Sequence, residues 1–505
     1  MKALDAVAWI APGAAARWLR NWRLYRLERD ASRAYDAVQS GQWREIRKGS
    51  GSGNASLQAA GTRLREIARY IDENVDLGVG LFDDIINNAV GNGLMLAPGV
   101  RNSAGELLER FNREVTEAWA EWADAPETSG TIGWEQVQRL VARSYLRDGE
   151  AFAVKLTAAR GFRYRTPVPF VLELLEADYC PLDGTQADQQ TFHGIRLDQW
   201  GAPVEYLFYS QHPGDPFVRL RDIGQLRRVS ADNVQHIRFS RRLRQLRGVP
   251  IIHAIINRLR DLQDYEESER IAAKVAADMT AFIERTSEFN AFATDVNDAK
   301  NRTLEMSAGQ IYTLLPGEKV STIKSERPNT ALADFRNAML RAVAAGAGAR
   351  FSSLAKDYNG TYSAQRQELV EGATAYRVHT AHLVRAFHKP VYREWLTAAI
   401  ASGRLRVPRD ATRASLYRCD FRPPALPWID PLKEAQAWQV LIQAGIESRA
   451  EIIRQRGRDP DEVMREIEQE TAIAGAVTAD MVDAGSDALT DSAKDNADAG
   501  TGTDG

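Results

Sequence analysis

The chain has 505 residues, of which 44% are hydrophobic and 26% are charged, as in ordinary globular proteins. Its formal net charge of −3 at pH 7 excludes a protein that binds nucleic acid through a strong overall positive charge. The two cysteines, Cys180 and Cys419, lie far apart and outside any Cys/His spacing, which argues against a disulfide framework and a zinc site. No stretch reaches the roughly 20 apolar residues of a membrane span, so no membrane contact is expected for the folded body.

The first part of the chain, residues 1–56, is predicted to be a basic N-terminal arm followed by a Gly/Ser linker. Arginines recur throughout residues 17–33, and Trp18, Trp22 and Tyr25 fall on one side of the helix that this spacing predicts. Packing of this helix against its own protein or a neighbour is favoured over contact with a membrane or DNA. The Gly/Ser-rich stretch that follows is typical of a flexible linker.

Helical patterning then gives way to strand patterning. Apolar residues recur with helical spacing from Leu57 to about residue 145, and their period then changes to two. The stretches with this alternation are predicted to be strands: 151–156, 167–175, 194–197, 204–209 and 233–239. Two later stretches, 405–408 and 415–421, are expected to return to the sheet. Short strands joined by turns are typical of a mostly antiparallel sheet, so we expect an α+β fold.

Two blocks of opposite charge follow each other along the chain. Residues 219–247 contain nine arginines against two acids, and residues 251–285 are predicted to form one long helix that starts after Pro250. Within that helix, residues 261–269 carry five acids and no base: Asp261, Asp264, Glu266, Glu267 and Glu269. Each block could be a solvated surface, or the two could pair between identical subunits of a ring. The arginines could instead contact DNA, but pairing between subunits is favoured.

A polar loop, residues 350–363, separates two further predicted helices. Apolar residues have helical spacing on both sides of it, within residues 331–400. The loop carries one lysine and two tyrosines: Lys356, Tyr358 and Tyr362. On local grounds it is either an ordinary connection between helices or a segment held toward something that it must touch.

No catalytic motif occurs in the sequence, and no cofactor or metal is predicted. The chain contains no G-x-S-x-G, H-E-x-x-H or P-loop pattern. His379 and His382 are three positions apart on a predicted helix, with His388 further on, but no carboxylate joins them at ligand spacing, so structural roles are favoured. The last stretch, residues 471–505, has seven aspartates and no aromatic residue and is predicted to be a disordered acidic tail.

Several short segments follow one another in an order that is more specific than any of them alone. They are Asn88–Gly93; Phe111–Trp119; Arg147–Phe152; Leu340–Gly348 with Leu354, Tyr358 and Tyr362-Ser363; Asp430–Ala435; and Gly445–Ser448. In this order, over residues 57–470, the chain resembles the lambda family of tailed-phage portal proteins. None of the segments is catalytic.

The resemblance implies a ring of identical subunits, usually twelve, at one vertex of the virion capsid. Such a ring is the channel through which double-stranded DNA is packaged and ejected without sequence specificity. It nucleates capsid assembly in the host cytoplasm together with the major capsid and scaffold proteins, and it binds the terminase large subunit and the head-tail adaptor. A portal subunit is not an enzyme. The alternatives are a motif-poor phage nuclease or hydrolase, and a capsid scaffold or adaptor component.

By position, the resemblance divides the chain into the parts of a portal subunit. These are the arm and linker, 1–56; a wing of helices and mostly antiparallel sheet, 57–249; a first stem helix, 250–285; a clip, 286–327; a second stem helix, 328–349; a tunnel loop, 350–363; a long wing helix with return strands, 364–428; a C-terminal helical region on the crown side, 429–470; and the acidic tail, 471–505.

The resemblance also implies roles for particular residues. Those expected to face DNA in the tunnel loop are Arg350, Lys356, Tyr358, Asn359 and Tyr362, although packing against the neighbouring subunit's loop is an equal alternative. Those expected in the clip, in contact with terminase or adaptor, are Pro316, Gly317, Glu318 and Lys319. Those expected at the subunit interface are Arg241, Arg242 and Arg244, opposite Asp261, Asp264, Glu266, Glu267 and Glu269.

Overall fold

The computed structural model of the chain describes residues 52–159, 161–183, 190–216, 226–278, 282–285, 318–321, 332–423, 431–456, 458 and 460–473. The basic arm, most of the predicted clip and nearly all of the acidic tail lie outside these residues, so the predictions made for them stay predictions. Every structural statement below concerns the described residues.

Four helices precede the sheets. They are α1, Gly53–Asn74; α2, Asp76–Ala89; α3, Glu109–Ala123; and α4, Trp134–Arg147. The chain divides into two units, Met1–Ser56 and Leu57–Gly505, and apart from the first residues of α1 all of these elements belong to the second. Helix α3 buries Phe111, Val115 and Trp122, whose spacing places one apolar stripe on the core.

Two antiparallel sheets follow these helices. Their strands are β2, Glu150–Thr157; β3, Phe170–Glu176; β4, Thr191–Phe192; β5, Ile195–Leu197; β6, Pro203–Tyr209; β7, Leu226–Ser230; and β8, Val234–Arg238. One sheet has the order β3-β2-β8 and the other β4-β5-β6-β7. All of these pairings are antiparallel, which confirms the predicted sheet and the α+β class.

The strand predictions fail at several places. Strand β7 lies inside the arginine-rich run, where charge hid the strand pattern, and it pairs with β6. Residues 405–408 form no strand. The predicted strand at 415–421 is shorter, since β11 is Cys419–Arg422, and it pairs with β1, Met95–Pro98, which was not predicted. Because β1 and β11 lie far apart along the chain, their pairing leaves no signal in the local pattern of residues.

Tryptophans form the centre of the larger hydrophobic core. Trp119 and Trp122 of α3 have ring centroids 4.7 Å apart, and Trp134 and Trp395 lie 5.5 and 4.9 Å from Trp119. The indole N–H of Trp122 donates to the carbonyl oxygen of Phe170 at 2.8 Å, which ties α3 to β3. Each aromatic pair contributes about 0.5–1.5 kcal/mol beyond its buried area.

The predicted first stem helix, 250–285, is interrupted at its start and ends early. A short 3₁₀ turn, Ile251–Ala254, precedes α5, Ile256–Asp278. Strand β9, Phe282–Arg285, then pairs antiparallel with β10, Glu318–Ser321. Phenylalanine and isoleucine favour strands, and the pairing partner comes from the predicted clip, 286–327.

The helix-loop-helix prediction is correct in outline and wrong in detail. Helix α6, Leu332–Ala347, is followed by a short helix α7, Phe351–Ala355, inside the predicted loop. Helix α8, Tyr362–Leu383, begins within the predicted loop as well, and a π-helical turn, Val384–His388, joins it to α9, Lys389–Ala401.

Three helices form the last described part of the chain: α10, Pro431–Gln443; α11, Arg449–Gln455; and α12, Pro460–Ile473. The hydroxyl of Ser448 caps α11 by accepting the amide N–H of Glu451. Among the described helices, none combines the length and the apolarity that crossing a bilayer requires.

Candidate DNA-facing loop and subunit surface

The exposed part of the predicted tunnel loop is the short stretch between α7 and α8, residues 356–361, together with the start of α8. Lys356 ends α7 in the left-handed conformation, with φ 53° and ψ 32°, and so turns the chain away from the helix. Tyr358 is 58% exposed and Tyr362 is 46% exposed, and Lys356 and Asn359 are exposed as well. Four of the five predicted DNA-facing residues therefore share one exposed segment.

Arg350 does not share this exposure, because its side chain is held inside the fold. Its Nη2 lies 3.2 Å from Oδ1 of Asp84 and 3.3 Å from Oδ1 of Asn88, and its side chain is only 17% exposed. The guanidinium also lies over the ring of Tyr376, 5.5 Å from its centroid. A Cβ added to Gly372 would lie 2.6 Å from Cγ of Arg350, so this glycine makes room for the side chain.

These contacts give Arg350 a different role from the predicted one. Burial works against the charge of its guanidinium, but Asp84 and Tyr376 outweigh burial and raise the pKa of Arg350 above its usual value. The residue is therefore a charged anchor between α2 and the start of the loop. The sequence carried no signal for this pairing, because Asp84 lies in a helix far from the loop.

Hydrogen bonds to α8 hold both the exposed segment and the helix α7 that precedes it. The amide N–H of Ser352 donates to Oε1 of Glu368 at 2.9 Å, and the side-chain amide of Gln365 donates to the carbonyl oxygen of Tyr358. The hydroxyl of Thr361 caps α8 by accepting the amide N–H of Ala364. The loop is consequently short and fixed at both ends.

Two cations that the sequence analysis missed lie beside the loop. Arg366 donates from Nη1 to the hydroxyl of Tyr362 at 3.3 Å, and Nζ of Lys433 lies 5.7 Å from the centroid of the same ring. Arg366 could have been found, since residues four apart on a helix are neighbours. Lys433 comes from α10, which only the tertiary structure brings to this place. Together with Lys356, these residues place three cations at the loop, which itself contains one acid, Asp357.

The arginine-rich run is divided between the interior and the surface. Arg247 is fully buried, and its Nε donates to Oε1 of Glu150 at 2.8 Å. Its other donors reach the carbonyl oxygens of His193, Ala177 and Cys180. Arg247 is therefore a structural residue and no part of a basic surface.

Glu150 is the fully buried centre of this network. It also accepts hydrogen bonds from Nη2 of Arg65 at 2.9 Å and from the amide N–H of Gly248 at 2.8 Å, and Nε2 of His236 lies 2.9 Å away. Burial alone would raise the pKa of Glu150, but Arg247 and Arg65 hold it well below its usual range. The network ties β2 to the segment that leads into α5.

The three arginines predicted for the subunit interface are exposed. Arg241, Arg242 and Arg244 lie on the loop between β8 and α5. The guanidinium of Arg241 lies 5.1 Å from the ring centroid of Phe239.

The five predicted acids do not form one surface. Asp261, Asp264 and Glu267 are exposed on α5. Glu266 instead accepts a hydrogen bond from Nε of Arg336 at 2.6 Å, which joins the two helices α5 and α6, and Glu269 is buried. Three of the five acids are therefore exposed, and one of these, Glu267, lies 3.5 Å from Nη2 of Arg270 on the same helix.

Comparison with known proteins identifies the family to which this chain belongs. The sequence model of the phage portal proteins of the lambda family matches residues 39–379. The chain belongs to this family. Portal proteins are structural components rather than enzymes, so the resemblance and the non-enzymatic prediction are confirmed, and the nuclease or hydrolase alternative is not supported.

Individual relatives of the chain are also described as portal proteins. The chain is 25% identical over 420 residues to the probable portal protein of Halomonas phage phiHAP-1, which covers 81% of this chain and 79% of the relative. It is 22% identical over 254 residues to portal protein B of Escherichia phage lambda, and this match covers 45% of this chain and 48% of the relative.

Solved structures of gene transfer agent particles contain chains of similar fold. A chain in the virion of the native particle is 13% identical, with a TM-score of 0.48, over 81% of this portal chain and 99% of that chain. A chain in the neck of the native particle, computed with C12 symmetry, is 13% identical, with a TM-score of 0.45, over 81% of this chain and 94% of that chain.

The predicted clip residues of this portal chain are only partly described. Glu318 and Lys319 lie in β10, opposite Arg285 and Glu284 of β9. Pro316 and Gly317 lie outside the described residues.

The histidines of this portal chain have the partners of structural residues. His379 lies 3.3 Å from the hydroxyl of Tyr145, His382 stacks on the Tyr145 ring, and the buried His388 lies 2.8 Å from Oε1 of Gln138. Burial lowers the pKa of His379 and of His388 to about 4. Among the residues that the structure describes, no cluster of His, Cys, Asp or Glu could hold a metal ion.

Proposed function

We propose that this chain forms the portal ring at one capsid vertex, the channel through which double-stranded DNA is packaged and ejected. The family match over residues 39–379 is the observation that carries this proposal. The ring is expected to contain twelve subunits, to nucleate capsid assembly with the major capsid and scaffold proteins, and to bind the terminase large subunit and the head-tail adaptor.

In this proposal the parts of the subunit follow the order predicted from the sequence. Helices α5 and α6 form the stem, and the ion pair between Glu266 and Arg336 joins them. The antiparallel pair of strands β9 and β10 belongs to the clip, where Glu318 and Lys319 contact terminase or adaptor. The helices and sheets before α5, with α8 and α9, form the wing, and α10 to α12 lie toward the crown.

The exposed segment of residues 356–361 is proposed to face the translocating duplex. Each phosphate that a cation neutralises adds affinity through release of about one counterion, so a channel in which DNA slides must keep such contacts few. Lys356 supplies one positive charge per subunit here, and Tyr358, Asn359 and Tyr362 supply uncharged contacts. The anchors at Arg350 and Ser352 support a loop that stays in place while DNA passes.

The ring itself is tested by the mass of the purified assembly. A ring of about twelve subunits with a central channel is expected, and a stable monomer or dimer under capsid-assembly conditions would contradict the proposal.

The loop is tested separately with Lys356→Ala and Tyr358→Ala, each in the full chain. Both residues are exposed, so we expect normal rings and reduced packaging or retention of DNA. Lys389→Ala, which removes an exposed lysine at the start of α9, is the matched control and should package normally. Loss of the ring in the loop variants would make the loop a subunit contact instead.

A further inference from the structure

The loop from Ser240 to Gln245 presents a fully exposed leucine between arginines. Leu243 is 100% exposed, the highest value among the large hydrophobic residues that the structure describes as exposed. Arg242 and Arg244 flank it, and Arg241 precedes them. A single exposed leucine is ordinary on a protein surface, so its meaning depends on how the loop holds it.

Buried contacts hold this loop in one shape. Gln245 is 4% exposed, and its Oε1 accepts the amide N–H groups of Arg241 and Arg242 at 3.1 and 3.2 Å. Its Nε2 donates to the carbonyl oxygen of Arg247, which is itself fixed by Glu150.

Leu243 is therefore held in a preorganised conformation by the loop. Arg244 adopts a left-handed conformation with φ 58°, which turns the chain directly after Leu243. A side chain presented in this way loses little freedom on binding, which favours its use as an anchor.

A complementary surface exists on the first stem helix of the same chain. Asp264, Glu267 and Ile271 of α5 are exposed and follow one another at spacings of three and four residues, so they form one stripe. Ile271 is 54% exposed at the end of the stripe. The opposite side of α5, with Leu259 and Leu262, is buried.

The two surfaces match in charge and in apolar content. The loop offers positive groups around a leucine, and the stripe offers two carboxylates beside an isoleucine. Glu267 also lies 3.5 Å from Nη2 of Arg270, but both side chains of this pair are exposed and can exchange partners. Opposite charges around an apolar centre are the usual anatomy of a specific interface. We propose that the loop Ser240–Gln245 docks on the Asp264–Glu267–Ile271 stripe of a second copy of this chain, with Leu243 as the apolar anchor.

This proposal rests on the proposed portal ring and gives it a definite contact. The loop and the stripe are different surfaces, so each copy offers one surface and receives the other. Contacts of this head-to-tail kind generate closed rings when the rotation between copies closes. The contact also explains why Gln245 fixes the loop although Leu243 packs against none of the residues that the structure describes.

Cross-linking tests the contact directly. Leu243→Cys and Ile271→Cys are combined in the full chain with Cys419→Ser, because Cys180 is buried and Cys419 is half-buried. Assembled rings are treated with a short bis-maleimide and separated under denaturing conditions. We expect a ladder of covalent oligomers that needs both cysteines. Intact rings without a ladder, or cross-linking confined to single chains, would overturn the proposal.

Charge reversal and rescue test the same contact without cysteines. Leu243→Asp, and separately Arg242→Glu with Arg244→Glu, should weaken ring formation by about tenfold or more, as loss of an interface anchor does. Asp264→Arg with Glu267→Arg, added to the arginine variant, should restore it. Arg110→Glu, at an arginine whose side chain is 94% exposed on α3, is the matched control and should assemble normally.

The outcomes separate this contact from the portal function. If the unaltered chain forms no ring, the proposed function fails. If it forms rings and Leu243→Asp forms them equally well, the docking proposal alone fails. Normal rings that lose DNA retention in the arginine variant would assign the loop to DNA and overturn docking. Thermal melting of the dissociated Leu243→Asp subunit should be unchanged, because Leu243 is fully exposed.

Discussion

Nη2 of Arg350 lies 3.2 Å from Oδ1 of Asp84, so the first residue of the predicted tunnel loop is paired with a helix 266 positions earlier. The pair is mostly buried, with side-chain exposures of 17% and 11%. The same carboxylate also accepts the hydroxyl hydrogen of Tyr376 from α8. Three elements, α2, α7 and α8, therefore meet at one acid, and the exposed stretch begins just beyond this point.

Replacing Arg350 by alanine is expected to destabilise the subunit. Asp84 would lose a charged partner in a mostly buried place, which costs about 1–3 kcal/mol. Urea unfolding of the dissociated subunit measures this loss. Lys356→Ala, at the exposed end of α7, is the control and should be within about 0.5 kcal/mol of the unaltered chain. Equal stability of the two variants would show that the Asp84 contact adds nothing.

Replacing Glu150 by glutamine should be more severe. Glu150 and Arg247 are both fully buried, and removing one charge leaves Arg247 without its counter-charge. Breaking a buried pair in this way costs about 3–5 kcal/mol. Glu66→Gln removes half of an exposed pair with Arg63 and should change stability by less than about 1 kcal/mol. The unfolding free energies of both variants, measured side by side, check this difference.

Acid should destabilise the subunit partly through its buried histidines. The folded pKa of His379 is lowered to about 4, whereas an unfolded histidine titrates near pH 6.5. Between these values the unfolded chain binds the proton more strongly, so stability is full above about pH 6.5 and falls as the pH drops toward about 4.

His379→Phe keeps a ring beside Tyr145 but cannot take up a proton. We expect a smaller loss of stability over this pH range than in the unaltered chain, by up to about 1.4 kcal/mol for each unit of pKa difference. Urea midpoints across the range measure it. Arg110→Ala introduces no group that titrates there and should follow the unaltered chain; an identical slope for His379→Phe would contradict the prediction.

Gly248 should not tolerate a side chain. An added Cβ would lie 1.9 Å from the carbonyl oxygen of Gly149, where the chain passes the start of β2 on its way to α5. Gly248→Ala is therefore expected to cost more than about 2 kcal/mol or to prevent folding. Gly80→Ala, inside α2 with nothing near the added atom, should instead stabilise by up to about 1 kcal/mol. Soluble yield and thermal melting distinguish the two.

Lys356 should contribute to the salt dependence of DNA binding by assembled rings. Each phosphate contact contributes about 0.9 to the slope of log affinity against log salt. Lys356→Ala should lower that slope by about this amount for every contact that it removes. Lys389→Ala serves as the control with the same change of charge. Unchanged slopes in both variants would place Lys356 against the neighbouring subunit.

The sequence by itself determined the features whose signals are local. Alternating apolar residues identified most strands of the two sheets, and helical spacing identified the helices around residues 331–400. The order of short segments was enough to indicate the portal family, since that order is a property of the chain alone. The positions of Tyr358 and Tyr362 in a polar stretch also predicted an exposed loop correctly.

Only the tertiary structure decided which charged residues are free to act. Arg350 and Arg247 look like any other arginine in the sequence, yet Asp84 and Glu150 bury them in ion pairs. Likewise β9 was predicted as helix, because its pairing with β10 depends on residues that are distant in the chain. The spacing of apolar residues along a segment shows whether that segment is a helix or a strand. The partner of a charged side chain or of a strand depends instead on which residues the fold brings within a few ångströms, and these can be distant in the sequence.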